Sequence, residues 1–82
     1  MNNKVYMVKM MIDGTFCNYM MDSVYSTEEQ AINEVKRIYE LKIYRMRNVK
    51  TINNNWKSVQ IVDKDDEHKI YEWFGYEVLS II

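Results

Sequence analysis

A thiol and an imidazole are the one nucleophile–base combination this chain could assemble, because it contains a single cysteine, Cys17, and a single histidine, His68. Nucleophilic catalysis needs the two within hydrogen-bond reach. Alternating polarity places Cys17 on a strand, on the side that carries Tyr6, Val8 and Met10. An isolated cysteine there behaves as a small hydrophobe. His68 belongs to a later strand, so no catalytic residue is assigned.

The acidic run Asp63, Asp65, Asp66 and Glu67 has the residue types that hold Mg²⁺ or Ca²⁺. A calcium loop also needs a central glycine and a distal glutamate at fixed spacing, and this run lacks both. It reads as a solvated turn. One histidine and one cysteine cannot build a zinc site. The only glycines are Gly14 and Gly75, so no glycine-rich phosphate loop can form. No cofactor, metal or small-molecule substrate is expected, and the chain reads as a non-enzyme.

Charge is informative through its placement. The net charge is −1, but residues 1–35 carry −3, residues 36–57 carry +6 and residues 58–82 carry −4. The basic stretch holds Lys36, Arg37, Lys42, Arg45, Arg47, Lys50 and Lys57, interleaved with Tyr39, Tyr44 and Trp56. Bases with aromatics suit phosphate neutralisation and base stacking. Cations at a helix C-terminus also follow from the helix dipole alone. The candidate contact set is therefore Lys36, Arg37, Lys42, Arg45, Arg47, Lys50 and Trp56, facing a partner protein or a nucleic acid.

The elements that position these residues follow from periodicity. Residues 4–12 alternate with period two and are followed by Asp13-Gly14, which suits a two-residue hairpin turn. A second strand is predicted over residues 15–25. That turn sets Ile12 opposite Thr15, Met10 opposite Cys17, Val8 opposite Tyr19 and Tyr6 opposite Met21. One hairpin face is then Tyr6, Val8, Met10, Ile12, Cys17, Tyr19 and Met21, a core face. The other carries Met7, Met11, Phe16 and Met20 among Lys9, Asn18 and Asp22. Ser26 and Glu29 fit a capping box, and Ala31, Ile32, Val35, Ile38 and Tyr39 keep helical spacing. With no Gly or Pro from Thr27 to Arg47, the helix is predicted to run to about Met46.

Asn48 to Asn55 is predicted as a linker. Strands follow at 56–63 and 68–80, joined by the polar turn Asp63–Glu67, and Gly75 suggests a bulge or bend. The order β-β-α-β-β implies an α+β fold: a four-stranded antiparallel sheet with one helix packed on one face. The second sheet face would lack a cover. There Met7, Met11, Phe16 and Met20, with Trp73 or Phe74 as an aromatic anchor, whichever points outward, form a candidate partner surface.

At 82 residues the chain is one domain with a thin core. Its 48% apolar and 13% aromatic content belongs to a folded chain. The start of the chain has no long apolar segment with a small-residue cleavage site, so no signal peptide is expected. No apolar run reaches the length of a membrane span. A lone cysteine fits a reducing compartment, and a cytoplasmic location is expected.

The segments Lys4-Val-Tyr-Met-Val, Asp13-Gly14 and Val24-Tyr-Ser-Thr-Glu-Glu-Gln-Ala31 resemble small proteins common in phages and low-GC Gram-positive bacteria. In those, two strands precede a helix opened by Ser-x-Glu-Glu-x-Ala. The resemblance covers about the first half of the chain and carries over no catalytic residue. It implies a compact α+β protein from a phage-rich setting, where inhibitors of host defence such as anti-CRISPR proteins occur. The leading expectation is a non-enzymatic inhibitor that binds a host defence protein or nucleoprotein. The alternatives are a nucleic-acid-binding accessory protein using residues 36–57 and a homo-oligomeric structural protein.

Overall fold

The computed structural model describes residues 3–12, 15–17 and 24–80. The elements are β1 (Lys4–Ile12), β2 (Thr15–Cys17), β3 (Val24–Tyr25), α1 (Glu28–Ile43), β4 (Val49–Asn54), β5 (Ser58–Asp63) and β6 (Ile70–Ser80). They form one antiparallel sheet in the order β2-β1-β6-β5-β4, with β3 on the same side of β1 as β2. β2 and β3 together occupy one position, so five positions stand where four strands are expected. The fold class is α+β with one helix on a sheet.

β6 is the spine of the sheet. It pairs with β1 from Lys4↔Ser80 to Met10↔Phe74 and with β5 from Ser58↔Gly75 onward. The side facing α1 carries Val8, Val59, Ile61, Phe74 and Tyr76, which close over Ala31, Val35 and Ile38 of the helix. Val8, Ala31, Val35, Val59, Ile61 and Phe74 are fully buried. This is the side predicted to be core from Tyr6, Val8 and Met10. The side chains of Ile12 and Cys17, and residues Tyr19 and Met21, lie outside the described residues.

The helix begins one residue later than its capping signal predicts. Thr27 is the N-cap: its hydroxyl accepts from the Gln30 amide at 3.2 Å, and the Gln30 side chain accepts from the Thr27 amide at 3.3 Å. Ser26–Glu29 and Thr27–Gln30 both satisfy the same pattern. Glu28 stands in the first turn, where it meets Tyr76 on β6. The helix also ends earlier, at Ile43 rather than near Met46. Bonds from Arg45 N to Lys42 O and from Met46 N to Ile43 O tighten its exit. Asn48 at φ 58° then turns the chain into β4.

β4 occupies most of the predicted linker. Its register runs from Val49↔Asp63 to Asn54↔Ser58 on β5. Four polar or charged residues in six, Lys50, Thr51, Asn53 and Asn54, hide the alternation because an edge strand buries little. The turn residues Asn55 and Trp56 both have positive φ, 53° and 64°, so β5 starts at Ser58 rather than at residue 56.

Two register findings also differ from expectation. Ile12↔Thr15 and Met10↔Cys17 pair as predicted, but Tyr6 meets Tyr25 instead of Met21. Stepping back four residues on β1 advances eight along its partner, so the registers of β2 and β3 are offset by four residues. Four is an even number, which keeps Tyr25 on the core side with Tyr6. Gly75 is not a bulge, because pairing is continuous through it. The irregularity falls at Ile61/Val62, where Tyr71 is the unopposed residue. That slip takes Ile70 out of phase with Phe74 and pairs it with Val62. Gly75 is required for a different reason: a Cβ there would land on the Lys57 carbonyl oxygen, 3.1 Å from Ser58 Cα.

Candidate functional site: the open sheet face and the basic segment

Pairing places Val5, Met7 and Lys9 of β1, Trp73, Gly75, Glu77 and Leu79 of β6, and Ser58, Gln60 and Val62 of β5 on the side away from α1. Among the described residues no helix lies on this side. The face is neither flat nor uniformly apolar. Gly75 sits between Lys9 and Ser58, so one row across the sheet has almost no side-chain height at its centre. A concavity of about 620 Å³ opens over it, bordered by Lys9, Lys57, Ser58, Trp73 and Glu77. Trp73 forms one wall and is fixed by its indole N–H, which donates to Ser58 Oγ at 3.1 Å. On the other side Lys9 reaches Glu77 at 2.6 Å.

Of the five residues predicted for this surface, Trp73 is half-buried and accessible from the concavity. Met7 is only 9% exposed, so it offers a partner little surface. Met20, and the side chains of Met11 and Phe16, lie outside the described residues. Sequence reasoning missed Lys9, Glu77 and the Gly75 depression. Lys9 and Glu77 are 68 residues apart, and only the β1–β6 pairing brings them together.

The basic segment does not stay a segment in space. Lys42 bonds Glu72 on β6 at 2.9 Å and Lys50 bonds Glu67 at 2.9 Å. Arg37 makes two 2.6 Å hydrogen bonds to Glu34 one turn back on the helix. That paired geometry holds the Glu34 carboxyl below its usual range. The Lys50 ammonium likewise lowers Glu67. Three of the seven cations are thus matched by carboxylates, and the acidic C-terminal third supplies two of them.

The others lie near aromatic rings or in the open. Lys36 stands 5.6 Å from the Trp56 ring, and Trp56 packs edge-on against Tyr39 at 5.7 Å. Tyr39 also shares a 2.9 Å hydroxyl bond with Thr51. Arg45 lies 5.8 Å from Tyr44, and Arg47 is exposed. Lys36 and Trp56 are therefore brought together, but as a brace between helix and sheet edge.

The acidic turn is occupied by its own backbone. Asp63 accepts from the Asp65 amide at 3.0 Å and from the Tyr71 hydroxyl at 3.1 Å. The first of these bonds is the main reason its carboxyl titrates low. Asp66 accepts from the His68 amide at 3.0 Å. Among the described residues no three His, Cys, Asp or Glu side chains converge as metal ligands.

Cys17 lies in the row of Met10 and Phe74, whereas His68 precedes β6. The part of β6 from Ile70 to Phe74 lies between His68 and that row, roughly 13 Å at about 3.3 Å per residue. No described helix is long and apolar enough to cross a membrane.

Neither a protein-family model, nor a curated protein, nor a solved structure matches the chain.

Proposed function

We propose that the chain is a non-enzymatic interaction protein whose open sheet face receives a partner protein. The observation that supports this most is the concavity over Gly75, walled by Trp73 and flanked by the Lys9–Glu77 pair. It combines an anchored aromatic with a charged pair beside it, as a protein contact combines an apolar centre with a polar rim. Helix α1 and its core occupy the opposite face of the sheet, so binding here needs no rearrangement of packed residues.

The resemblance of the first half to phage proteins supplies the kind of partner. In this reading the chain is an inhibitor from a phage or mobile element, anti-CRISPR-like, acting on a host defence protein or nucleoprotein in the cytoplasm. A photo-crosslinking residue at Ser58, beside Trp73, is expected to yield a stoichiometric adduct from host lysate. The same residue at Leu41, which is 58% exposed on the helix, is expected to yield none. Adducts only from the helix position, or no stoichiometric partner at all, would overturn the proposal.

A further inference from the structure

The two edges of the sheet are built differently. The β2/β3 edge is two short pieces whose register on β1 differs by four residues. The β4 edge is six residues long, unbroken and free of proline, and its register on β5 has no shift.

The phase of the β4–β5 ladder shows which groups β4 leaves over. Lys64 N donates to Asn48 O at 3.0 Å, in register with Val49↔Asp63. Antiparallel bonding alternates along the strand. Lys50, Ile52 and Asn54 therefore spend their backbone bonds on Val62, Gln60 and Ser58. Val49, Thr51 and Asn53 aim their N–H and C=O groups outward. Among the described residues no strand pairs with this edge.

We infer that β4 pairs antiparallel with β4 of a second copy of this chain, about a two-fold axis normal to the sheet through Thr51. Opposed residues must lie on the same side of the sheet. With Thr51 on the axis, Thr51 opposes Thr51, Val49 opposes Asn53 and Lys50 opposes Ile52. All the outward residues then meet in bonding phase, and the ladder closes with no orphan within it.

The side chains fit the same register. The one charge on the strand, Lys50, is held by its own Glu67 at 2.9 Å and lies opposite Ile52 of the other copy. Ile52 is 40% exposed, and the lysine stem can cover it. No like charges oppose one another. Such an axis keeps both helices on one side and both open faces on the other, so the two concavities form one doubled surface. This inference is independent of what the open face binds. Six residues of edge pairing bury less than the roughly 1,200 Å² of a standard interface, so the dimer is a weak one.

The test is amide exchange by NMR across a concentration series up to about 1 mM, with sedimentation alongside. The Val49, Thr51 and Asn53 amides are expected to gain protection as concentration rises, while those of Lys50 and Ile52 stay protected throughout. Ile52→Lys places two like-charge pairs across the axis and is expected to weaken the dimer roughly tenfold, while Ile52→Glu, facing Lys50, maintains or strengthens it. Circular dichroism checks that both variants fold.

A monomer at every concentration would overturn the inference. Protection of the three amides that arises only when a foreign strand is added would overturn the second copy as occupant. Equal weakening by both variants would overturn the Thr51-centred register.

Discussion

The Tyr76 hydroxyl donates to the Glu28 carboxylate across 2.8 Å, joining the first turn of the helix to the central strand 48 residues later. Tyr76 is 6% exposed and packs edge-on against Tyr6 at 6.1 Å. The bond orients the start of α1 over β6 and gives a buried hydroxyl its partner.

Burial first, and then the adjacent Glu28 carboxylate, push the Tyr76 phenol up from 10.0 to about 12. The folded state therefore keeps this proton where the unfolded chain has lost it. The resulting stabilisation is fully present below about pH 10 and is lost as pH rises towards 12. Denaturant melts of wild type and Tyr76→Phe are expected to show a steeper loss for wild type across that window and parallel behaviour at pH 7–9. Parallel curves up to pH 12 would refute the assignment.

Gly75→Ala is expected to destabilise the fold by about 2–3 kcal/mol. The added methyl meets the Lys57 carbonyl, a backbone atom tied by its bond from Tyr76 N at 3.1 Å. Neither side can retreat without opening the β5–β6 ladder. A urea midpoint within error of wild type would show that the strands relax more easily than their pairing suggests.

Phe74→Ala is expected to cost about 3–5 kcal/mol, because Phe74 is fully buried at the crossing of α1 with β1, β5 and β6. Stability of about 0.05–0.15 kcal/mol per residue gives a chain of 82 residues about 4–12 kcal/mol, so the loss is a large share of the total. A markedly lower melting temperature is expected by circular dichroism. Leu41→Ser, at a position 58% exposed, is expected to leave the melting curve almost unchanged.

Any affinity for nucleic acid is expected to be shallow in salt. Seven available cations would give a slope of log K against log salt near about −6, and four would give about −4. Arg37, Lys42 and Lys50 are engaged by Glu34, Glu72 and Glu67, so the shallower value is expected. Fluorescence anisotropy with a labelled duplex from 25 to 200 mM salt measures it, at about those concentrations. A slope steeper than about −6 would mean that the carboxylates release all three cations.

Most of the fold was legible because its signals are local. The alternation of β1, the helical spacing of Ala31, Val35 and Ile38, and the Asp63–Glu67 turn each lie within a few residues. β4 was not legible: four of the six residues of Val49–Asn54 are polar or charged, and its pairing rests on contact with β5 rather than on its own pattern. The helix end was misplaced because nothing in Tyr44–Arg47 forbids a helix. It exits through bonds from Arg45 N to Lys42 O and Met46 N to Ile43 O, and Asn48 at positive φ turns the chain into β4.

The candidate site was less legible than the fold. The sequence narrows the aromatic anchor to Trp73 or Phe74 and the fold buries Phe74, while the depression beside Trp73 depends on Lys9, Gly75 and Ser58 meeting from three strands. The basic run was plain in the sequence, and its neutralisation was not.

Alone, the sequence determined that a capped helix lies between two sheet-forming halves, and which side of β1 it covers. Side-chain periodicity and capping act over one or two turns, so they can be read along the chain. Tertiary structure decided which strand is the spine, which strands form the edges, and where the charges go. Those depend on residues tens of positions apart arriving at the same place, as Lys9 and Glu77 do through the β1–β6 ladder.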